Sequence, residues 1–451
     1  MSELLQFIRF KDFNTWSVHL LTDNSLIFVD KYPIEYFKEF TSNGNIEKIQ
    51  IEDNKTYKIL GVRTYGLGVF LNREVLGSTL KMRTYQKVKK NHLFWCKVDT
   101  KNGSFGIITD NFTDGLGSSN MNIAELDINK INPRYLQLFF KSKKFNFFMD
   151  GLVVGTTNRK YIKFNDLLNH VKIPLPPLEI QKQIVKDYQD KLDLSILQEQ
   201  QAKDKEKEIE AYLYDVLGIE IFQKEETELL SFVRFKDIER WDSSYLLDTN
   251  DIKSSYSLVS IKMIINTFLK NLDNTSLRIE PKKYPDKNFK YIGMENIEKE
   301  TGQLLNFQNV KGIDIKSQTI KLPQSFFLYG KLRPYLNKYY LNKNNHDNII
   351  VSSEFFVFSI KDINEIYFEY ILSSSFIQNQ IENHMKGARM PRISEATFRN
   401  LKIPLPPLEL QNQIANHIQS LKDEIKLLKE QSLMNKNSAL VEFEMEIFSE
   451  G

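Results

Sequence analysis

The chain has 451 residues, of which 41% are hydrophobic and 26% are charged, and its formal net charge is +3. Because this length exceeds what one hydrophobic core usually organises, at least two domains are expected. The sequence has no run of 18 consecutive apolar residues and no secretory signal in residues 1–10, which argues against a membrane-spanning helix and favours the cytoplasm.

The positive charge is concentrated in two blocks. Residues 51–170 contain 19 Lys and Arg against 10 Asp and Glu, and residues 278–402 contain 19 against 13. Two basic blocks on one chain predict two contacts with a polyanion, and nucleic acid is the commonest candidate. The alternative interpretation is that the lysines only keep the surface soluble.

An internal repeat is the most informative feature of the sequence. Residues 4–16 match residues 229–241 at 8 of 13 positions. Residues 172–184 (K-I-P-L-P-P-L-E-I-Q-K-Q-I) match residues 402–414 (K-I-P-L-P-P-L-E-L-Q-N-Q-I) at 11 of 13 positions. Between these matched segments the two copies diverge almost completely. The pattern suits two halves that share one framework and recognise different ligands, although neutral drift after an old duplication would also produce it.

Each copy of the proline-rich motif predicts the start of a long helix. The prolines disfavour a helix interior or a central strand, so residues 173–179 are expected to form an extended connector that leads into a helix. The first helix has a loose apolar pattern: Ile184, Val185, Tyr188, Leu192, Ile196 and Leu197. Residues 202–210, which are highly charged, are expected to form a solvated helix face.

The second helix has a regular heptad pattern. Its apolar residues are spaced alternately by four and three positions: Ile414, Ile418, Leu421, Ile425 and Leu428. Each helix can extend over roughly 40 residues, or about 60 Å. An exposed apolar seam of this length needs a partner, and the other helix is the obvious one; packing within a single domain is the alternative.

The predicted fold is therefore α/β or α+β, with two globular domains, two long helices in an antiparallel coiled coil and a pseudo-twofold repeat. The predicted domains are residues 1–177 and 226–407, and the predicted helices are residues 178–225 and 408–451. Within the second domain, residues 326–329 and 349–360 are strand-like and residues 368–384 are helix-like. The order of the strands does not follow from these patterns.

The motifs of a methyltransferase, of an ATP-driven enzyme and of a metal site are absent from the sequence, while Asp314 and Lys316 have a spacing that is found in nucleases and also on ordinary surfaces. Residues 132–135 (N-P-R-Y) only approach the acidic-proline-proline-aromatic tetrapeptide of an adenine methyltransferase, and the G-x-x-x-x-G-K-[ST] phosphate loop is missing. The six histidines lack the spacing of metal ligands, and the single cysteine, Cys96, is expected to be a core residue. No catalytic residue and no metal site are predicted.

The chain resembles the specificity subunits of type I restriction-modification enzymes over nearly its whole length. The paired I-P-L-P-P-L-E-x-Q-x-Q-I motif is similar to the junction between a target-recognition domain and a long helix in that family. In the second half, residues 291–297 (Y-I-G-M-E-N-I), 329–338 (Y-G-K-L-R-P-Y-L-N-K), 351–355 and 387–394 (G-A-R-M-P-R-I-S) resemble one recognition domain in order. Residues 58–70 and 151–160 resemble a different subtype, and the first half of the chain lacks Y-G-K-L-R-P.

This resemblance implies a non-catalytic, DNA-binding subunit. Each domain would read one half of a bipartite, asymmetric site in double-stranded DNA, and the helices would fix the gap between the halves. The implied partners are two methyltransferase subunits, which use S-adenosylmethionine, and nuclease/translocase subunits, which need ATP and Mg²⁺. Alternatives are the specificity subunit of a fused-nuclease type II or other phage-defence system, a coiled-coil scaffold that does not read DNA, and a stand-alone nuclease or modifying enzyme.

Side chains that contact phosphates or base edges are expected where Arg, Lys and Tyr cluster. In the first domain the candidates are Arg63, Tyr65, Arg73, Lys81, Arg83, Lys87, Lys89, Lys90, Arg159 and Lys160. In the second domain they are Lys331, Arg333, Tyr335, Lys338, Lys386, Arg389 and Arg392. The sequence supports these clusters more strongly than any single residue in them.

Overall fold

A computed structural model of the chain describes residues 28–44, 46–97, 102–152, 164–223, 250–269, 277–343, 349–382, 385 and 390–448. The chain divides into two compact units. The first unit comprises Met1–Gln200 and Leu428–Gly451, and the second unit comprises Gln201–Leu427. The matched segments 4–16 and 229–241 lie outside the described residues.

The first unit contains two sheets and a two-stranded ladder. Its strands are β1 (Ile34–Tyr36), β2 (Thr41–Ser42), β3 (Lys48–Gln50), β4 (Thr56–Val62), β5 (Val69–Leu76), β6 (Thr84–Lys87), β7 (Leu93–Cys96), β8 (Phe105–Ile107), β9 (Gly115–Gly117), β10 (Met121–Leu126) and β11 (Lys172–Pro174). The order is β3-β6-β9-β4-β5 in the five-stranded sheet and β2-β10-β7-β8 in the four-stranded sheet, and β1 pairs with β11. Strands β4 and β9 are parallel.

Helices α1 (Pro133–Lys141) and α2 (Lys143–Leu152) pack against the four-stranded sheet, and α3 (Phe164–His170) packs against β1. The core between them is aromatic, and the side chains of Trp95, Phe105, Phe139 and Phe140 are completely buried. The rings of Phe105 and Phe140 stack at 4.8 Å between centroids. Burying large aromatic side chains contributes most of the hydrophobic free energy of such a small core.

The second unit repeats this arrangement. Its strands are β12 (Glu220–Gln223), β13 (Asn250–Lys253), β14 (Leu258–Ser260), β15 (Ile265–Leu269), β16 (Arg278–Ile279), β17 (Asn288–Ile292), β18 (Asn309–Lys311), β19 (Thr319–Lys321), β20 (Phe327–Gly330), β21 (Tyr339–Leu341), β22 (Ile349–Ser352), β23 (Phe355–Ile360) and β24 (Lys402–Pro404). Its short helices are α5 (Ile261–Ile264), α6 (Glu365–Ser373), α7 (Ser375–Glu382) and α8 (Glu395–Asn400).

The two units have the same strand order. In the second unit the five-stranded sheet is β16-β19-β22-β17-β18, the four-stranded sheet is β15-β23-β20-β21, and β14 pairs with β24. The parallel pair β17–β22 corresponds to β4–β9. The pairing β12–β13 has no sheet counterpart among the described residues of the first unit, where Phe28 and Phe448 form an isolated bridge. The predicted internal repeat therefore extends through the divergent interiors.

Two predicted elements of the second domain are divided in the structure. The strand-like residues 349–360 form β22 and β23, separated by a turn at Ser353 and Glu354. The helix-like residues 368–384 fall on α6 and α7, because Ser374 has extended dihedral angles (φ −71°, ψ 158°) and ends the first helix. The predicted strand 326–329 corresponds to β20, which is shifted by one residue to Phe327–Gly330.

Two long helices follow the proline-rich motifs, as predicted. The first is shorter than the predicted residues 178–225, because Gly218 has a φ of +56° and residues 220–223 form β12. Helix α4 (Leu178–Leu217) and helix α9 (Leu408–Ile447) each contain 40 residues. Each begins directly after a Pro-Pro pair, at Leu178 and Leu408, because proline is tolerated only before or within the first helical turn. None of the helices in the described ranges combines the length and apolar composition needed to cross a membrane.

A buried glutamine attaches the start of helix α4 to the first unit. Gln181 is fully buried; its side-chain oxygen accepts a hydrogen bond from the Asn132 backbone N–H (2.7 Å), and its amide donates to the carbonyls of Lys130 and Pro176. The Asn132 side chain caps α1, and the Tyr135 hydroxyl donates to the Pro174 carbonyl at 2.9 Å.

The second unit contains the same attachment at helix α9. The Gln411 side-chain oxygen accepts from the Asn364 backbone N–H (2.9 Å), and its amide donates to the Pro406 carbonyl. Asn364 caps α6, and the Tyr367 hydroxyl donates to the Pro404 carbonyl at 2.8 Å. The repeated glutamine of the proline-rich motif therefore fixes each long helix to its domain.

Within each unit the long helices are antiparallel, because residue numbers fall along α9 as they rise along α4. In the first unit Lys191 pairs with Glu442, and the hydroxyls of Ser195 and Ser432 lie 2.8 Å apart. In the second unit Lys205 Nζ and Glu424 Oε2 lie 2.6 Å apart, and further along α4 the rings of Tyr212 and His417 lie 4.2 Å apart. The antiparallel coiled coil expected from the sequence is confirmed.

The composition of the helix seam differs between the units. In the second unit the α9 residues of the seam are apolar and at most 7% exposed: Ile414, Ile418, Leu421 and Ile425. In the first unit Leu428 and the predicted α4 residues are half-buried: Ile184, Tyr188 and Leu192. Beyond them the seam passes through buried Ser195 and Gln198.

Ile196 and Leu197, which belong to the loose apolar pattern of the first helix, lie outside the seam. Their side chains are 63% and 52% exposed, because the heptad positions after Tyr188 are Ser195 and Ala202. An apolar pattern could not reveal this part of the seam, since polar side chains occupy it.

Candidate nucleic-acid interface

In the first unit, three of the predicted basic residues form exposed ion pairs. Arg83 contacts Asp53 at 2.6 Å, Lys90 contacts Asp110 at 2.8 Å, and Lys87 lies 3.3 Å from a Glu47 oxygen. Exposed pairs of this kind contribute roughly 0–1 kcal/mol to stability. Their cations can therefore exchange a carboxylate for a phosphate at little cost.

Three further predicted residues of the first unit are exposed and form no ion pair with any described residue: Arg73, Lys81 and Lys89. Arg73 lies within β5, at the edge of the five-stranded sheet. Arg159 and Lys160 lie outside the described residues.

The tip of the β4–β5 hairpin, residues 63–68, presents Arg63 and Tyr65 to solvent. Tyr65 is 61% exposed and Leu67 is 58% exposed. The Arg63 guanidinium is exposed and lies 5.5 Å from the centre of the Phe70 ring, a distance at which a cation and an aromatic face attract each other. Two of the predicted contacts thus share one hairpin tip.

This tip has an unusual backbone. Tyr65 has a φ of +57°, in the left-handed region that non-glycine residues rarely adopt, and Gly66 and Gly68 have φ values of +61° and +87°. The Tyr65 N–H donates to the Asn102 carbonyl (2.7 Å), and the Gly66 N–H donates to the Gly103 carbonyl (2.8 Å). The tip is therefore bonded to the β7–β8 hairpin.

Gln137 of helix α1 forms hydrogen bonds that hold the same tip. The Gln137 amide donates to the Gly66 carbonyl (2.6 Å), while its side-chain oxygen accepts from the Ile107 N–H (2.9 Å). A Cβ atom at Gly66 would lie 2.2 Å from the Phe140 backbone carbonyl, so only glycine fits. These contacts fix the tip before any ligand binds.

In the second unit, the predicted residues of the Y-G-K-L-R-P segment divide into internal and external ones. Lys331 is half-buried and its ammonium donates to the Ser353 carbonyl (2.7 Å). Burial lowers the pKa of Lys331 from its ordinary value. Lys338 is also half-buried and donates to the Met294 carbonyl (2.6 Å). Both ammonium groups therefore bond to the protein's own backbone.

Arg333 and Tyr335, by contrast, are exposed at the tip of the β20–β21 hairpin. Tyr335 is 46% exposed. Arg333 has a φ of +49° and begins the turn 334–336, and Asn337, with a φ of +44°, ends it. The Asn337 side chain is buried and its amide donates to the Ser373 carbonyl (2.6 Å). No described residue forms an ion pair with Arg333.

The described segment 390–394 contains one more of the predicted contacts, Arg392. The Arg392 guanidinium contacts both Glu354 carboxylate oxygens at 3.2 Å. The Arg333 N–H donates to the Pro391 carbonyl (2.7 Å), so this segment also holds the tip. Lys386 and Arg389 lie outside the described residues.

The same two hairpins meet in both units. In the first unit the β4–β5 tip bonds to the β7–β8 hairpin, as above. In the second unit the corresponding β17–β18 and β20–β21 hairpins meet: the Lys338 ammonium donates to Met294, and the Glu300 N–H donates to the Asn337 carbonyl (3.1 Å). Each unit therefore places an exposed Arg and Tyr where its two hairpins join.

The described residues contain no group of three or more His, Cys, Asp or Glu side chains that could hold a metal ion. Cys96, expected in the core, is half-buried at the end of β7. His92 is buried and its Nδ1 accepts a hydrogen bond from the Lys89 N–H (3.2 Å), so it stabilises the turn before β7.

Sequence reasoning missed the attachment residues described above. Asn132 and Tyr135 stand 232 positions before Asn364 and Tyr367, close to the 230-residue offset of the proline-rich motif. The repeated Asn-x-x-Tyr could therefore have predicted these attachment residues from the sequence. The N-P-R-Y segment is a helix cap and a hydrogen-bond donor to Pro174.

A family model, a curated relative and solved structures all relate this chain to type I restriction-modification proteins. The family described as "Type I restriction modification DNA specificity domain" matches residues 27–211 and 256–434. The type I restriction enzyme MjaVIII specificity subunit of Methanocaldococcus jannaschii is 24% identical over 316 residues, which cover 66% of this chain and 65% of that protein. The match thus spans slightly less than two thirds of that relative's length.

Two solved structures share the fold. The HsdS subunit from Thermoanaerobacter tengcongensis is 13% identical, has a TM-score of 0.52 and matches 92% of this chain and 96% of its own. A chain from a structural study of complex assembly and conformational transition of the type I R-M system is 13% identical, has a TM-score of 0.56 and matches 93% of this chain and 98% of its own.

Proposed function

This chain belongs to the type I restriction modification DNA specificity domain family, and on that premise we propose that it is the sequence-reading subunit of a type I restriction-modification complex. Each unit reads one half of a bipartite site in double-stranded DNA. The observation that carries the proposal is the presence of two domains with one strand order whose exposed Arg and Tyr lie on different hairpins. Equal frameworks that carry these side chains on different hairpins suit two unlike half-sites.

The charge distribution supports binding to DNA. The two basic blocks coincide with the globular parts of the two units, while the rest of the chain carries a net negative charge. Exposed Arg and Lys side chains on these parts neutralise phosphates and release counterions, so affinity is expected to fall steeply with salt. The thirteen candidate contacts that lie within the described residues are part of this proposal.

The partners and cofactors also belong to the proposal. The long helices hold two methyltransferase subunits, and nuclease/translocase subunits join the complex. The partner subunits bind S-adenosylmethionine, ATP and Mg²⁺, and this chain contributes recognition without a chemical step. Since its substrate is cellular DNA, the complex works in the cytoplasm.

Selection from a pool of randomised DNA duplexes tests the reading function. The purified full chain is incubated with the pool, bound duplexes are separated by gel shift, and their sequences are determined. The expected result is one motif of two unlike half-sites with a fixed gap, and affinity that decreases linearly in a plot of log K against log salt. Binding without sequence preference, or no binding, contradicts the proposal and favours a scaffold.

A second experiment tests the partners. The chain is co-expressed with the methyltransferase subunit of its own restriction system, and methylated adenines are mapped by single-molecule sequencing. Methylation at the motif selected in vitro is expected. Methylation at the same sites without this chain would contradict its role as the specificity subunit.

A further inference from the structure

We propose that each unit reads base edges mainly through one arginine on a preformed Arg-x-Tyr tip: Arg63 with Tyr65 in the first unit, and Arg333 with Tyr335 in the second. The inference rests on the proposed function and narrows the candidate contacts to two readers. The other described basic candidates then act as phosphate contacts or as residues that hold the tips.

The ion pairs and hydrogen bonds that the other cations already form support this division. Arg83, Lys87 and Lys90 are ion-paired, and Arg392 contacts Glu354. Lys331 and Lys338 bond to backbone carbonyls. Arg63 and Arg333 are exposed and form no ion pair with a described residue. Their guanidinium groups therefore enter a complex without first losing a carboxylate partner.

Residue type separates these two arginines from the remaining unpaired cations. Lys81 and Lys89 carry compact ammonium groups that suit phosphate, and Arg73 lies within a strand. The planar guanidinium of an arginine matches the O6 and N7 acceptors of guanine with two parallel N–H donors. An arginine at a protruding tip, next to an exposed tyrosine, can reach a groove of the duplex.

The backbone of both tips is fixed in advance. Tyr65 and Arg333 have positive φ values, and hydrogen bonds to a neighbouring segment hold each tip. Left-handed dihedral angles at non-glycine residues are unfavourable by roughly 1–3 kcal/mol and persist only where the surroundings impose them. A tip that is already ordered loses little conformational entropy on binding, which favours precise base contacts over general attraction.

In each unit one residue outside the Arg-x-Tyr segment positions the tip through hydrogen bonds. In the first unit Gln137 bonds to both Gly66 and Ile107. In the second unit Lys331 bonds to Ser353, and its backbone carbonyl accepts from the Ile393 N–H (3.1 Å). These residues act through the tips and do not touch DNA.

The reading chemistry follows from these assignments. Arg63 and Arg333 donate to the major-groove edge of a guanine, while the hydroxyls of Tyr65 and Tyr335 donate to backbone phosphates and set the register. Each half-site therefore contains one guanine that depends on one arginine. Replacing that arginine with glutamine should shift the preferred base toward adenine, whose N6 and N7 groups pair with an amide.

The test repeats the selection from randomised duplexes with Arg63→Gln and Arg333→Gln in the full chain. Arg63→Gln should change one guanine position in one half-site, and Arg333→Gln should change one guanine position in the other. Discrimination at that position should fall roughly 5- to 150-fold, corresponding to the usual range for a bidentate contact. Arg63→Lys and Arg333→Lys should keep guanine with weaker discrimination.

Matched controls use arginines elsewhere in the same units. Arg134 is exposed on α1, and Arg278 lies on β16, at the opposite edge of the five-stranded sheet from β18. Arg134→Gln and Arg278→Gln should leave both half-sites unchanged. A wild-type chain without a motif contradicts the proposed function itself. A wild-type motif that survives both tip substitutions, or a tip substitution that alters both half-sites, overturns this inference alone.

Lys331→Met tests positioning, because methionine keeps the apolar stem and removes the ammonium donor. The second half-site should lose discrimination at the Arg333 position, the first half-site should stay unchanged, and Lys331→Arg should restore part of the loss. A purely structural role would instead lower binding to all sequences together. Unaltered discrimination in Lys331→Met would exclude the positioning role.

Discussion

The two units share one strand order, yet they expose their Arg and Tyr residues on different hairpins. The tip lies on β4–β5 in the first unit and on β20–β21, which corresponds to β7–β8, in the second. In both units these two hairpins bond to each other, so moving the reader from one to the other keeps it at the same end of the domain. The framework therefore specifies where the Arg and Tyr are presented, and the two units supply them from different hairpins.

The framework itself is held by matched contacts. Gly77 and Gly312 lie at corresponding turns, after β5 and β18, and both pack closely on a backbone carbonyl. A Cβ atom on Gly77 would lie 2.0 Å from the Glu52 carbonyl oxygen, and one on Gly312 would lie 2.2 Å from the Tyr284 carbonyl oxygen. The glutamine attachments at Gln181 and Gln411 match as well. If the comparison is right, substitutions in the framework should affect both units alike, and substitutions in a tip should affect one unit.

The largest effect is expected for Gly66→Ala. The new Cβ would meet the Phe140 backbone at 2.2 Å, and alanine is unfavourable at a φ of +61°, so the local stability of the tip should fall by about 4 kcal/mol. Hydrogen–deuterium exchange of residues 56–76 measures this change. Gly68→Ala is the control, since it has a φ of +87° but no atom closer than 3.7 Å, and its effect should be clearly smaller. Similar exchange in the two variants would contradict the close packing.

The next largest effect concerns the repeated glutamine. Gln181→Ala removes three hydrogen bonds and should lower the free energy of unfolding of the first unit by about 3 kcal/mol, while Gln411→Ala removes two and should cost the second unit about 2 kcal/mol. Urea unfolding, followed by exchange in each unit, measures both. The exposed neighbours Gln183 and Gln413 provide matched alanine controls that should change little. Equal effects of buried and exposed glutamines would refute the attachment.

The sequence predicted the long helices but not the strand order, because the internal repeat is visible only in the proline-rich motifs and near the start of each half. The 13-residue motif fixed the start of both long helices, because prolines and the heptad pattern are local signals. The common strand order was not predictable, since the strands are 2–8 residues long and their buried positions tolerate different residues, such as Trp95 on β7 and Tyr329 on β20. Tertiary packing, not local preference, sets such short strands.

The candidate interface was predicted as clusters, and the structure separates their members. In Y-G-K-L-R-P, composition cannot show that Lys331 points inward and Arg333 outward, because the change of direction depends on a left-handed residue after the end of β20. Composition also cannot show that Arg83, Lys87 and Lys90 have acidic partners, because those partners are 20 to 40 positions away in sequence and only folding brings them close. Which of these side chains touch DNA stays a prediction.

A smaller and symmetric effect is expected for the two tyrosines. Tyr135→Phe and Tyr367→Phe each remove one hydrogen bond to a proline carbonyl, at Pro174 and Pro404, without changing the packing. Each should lower the stability of its own unit by about 1 kcal/mol. Thermal melting with exchange in each unit is the measurement. A loss in only one unit would show that the two attachments are not equivalent.

The smallest effect is expected for Glu354→Gln, which weakens the contact with Arg392. Because the Arg392 side chain is 53% exposed and the Glu354 side chain 34% exposed, water screens the pair, and the stability of the second unit should fall by about 0.5 kcal/mol or less. The Lys331 backbone N–H still donates to the Glu354 carbonyl, so the tip should keep its conformation. Binding should tighten slightly, since one carboxylate no longer repels DNA and Arg392 is free to contact a phosphate. Titration of the selected duplex at several salt concentrations measures this, and a weaker Glu354→Gln complex would mean that the pair holds the tip and does not merely cover Arg392.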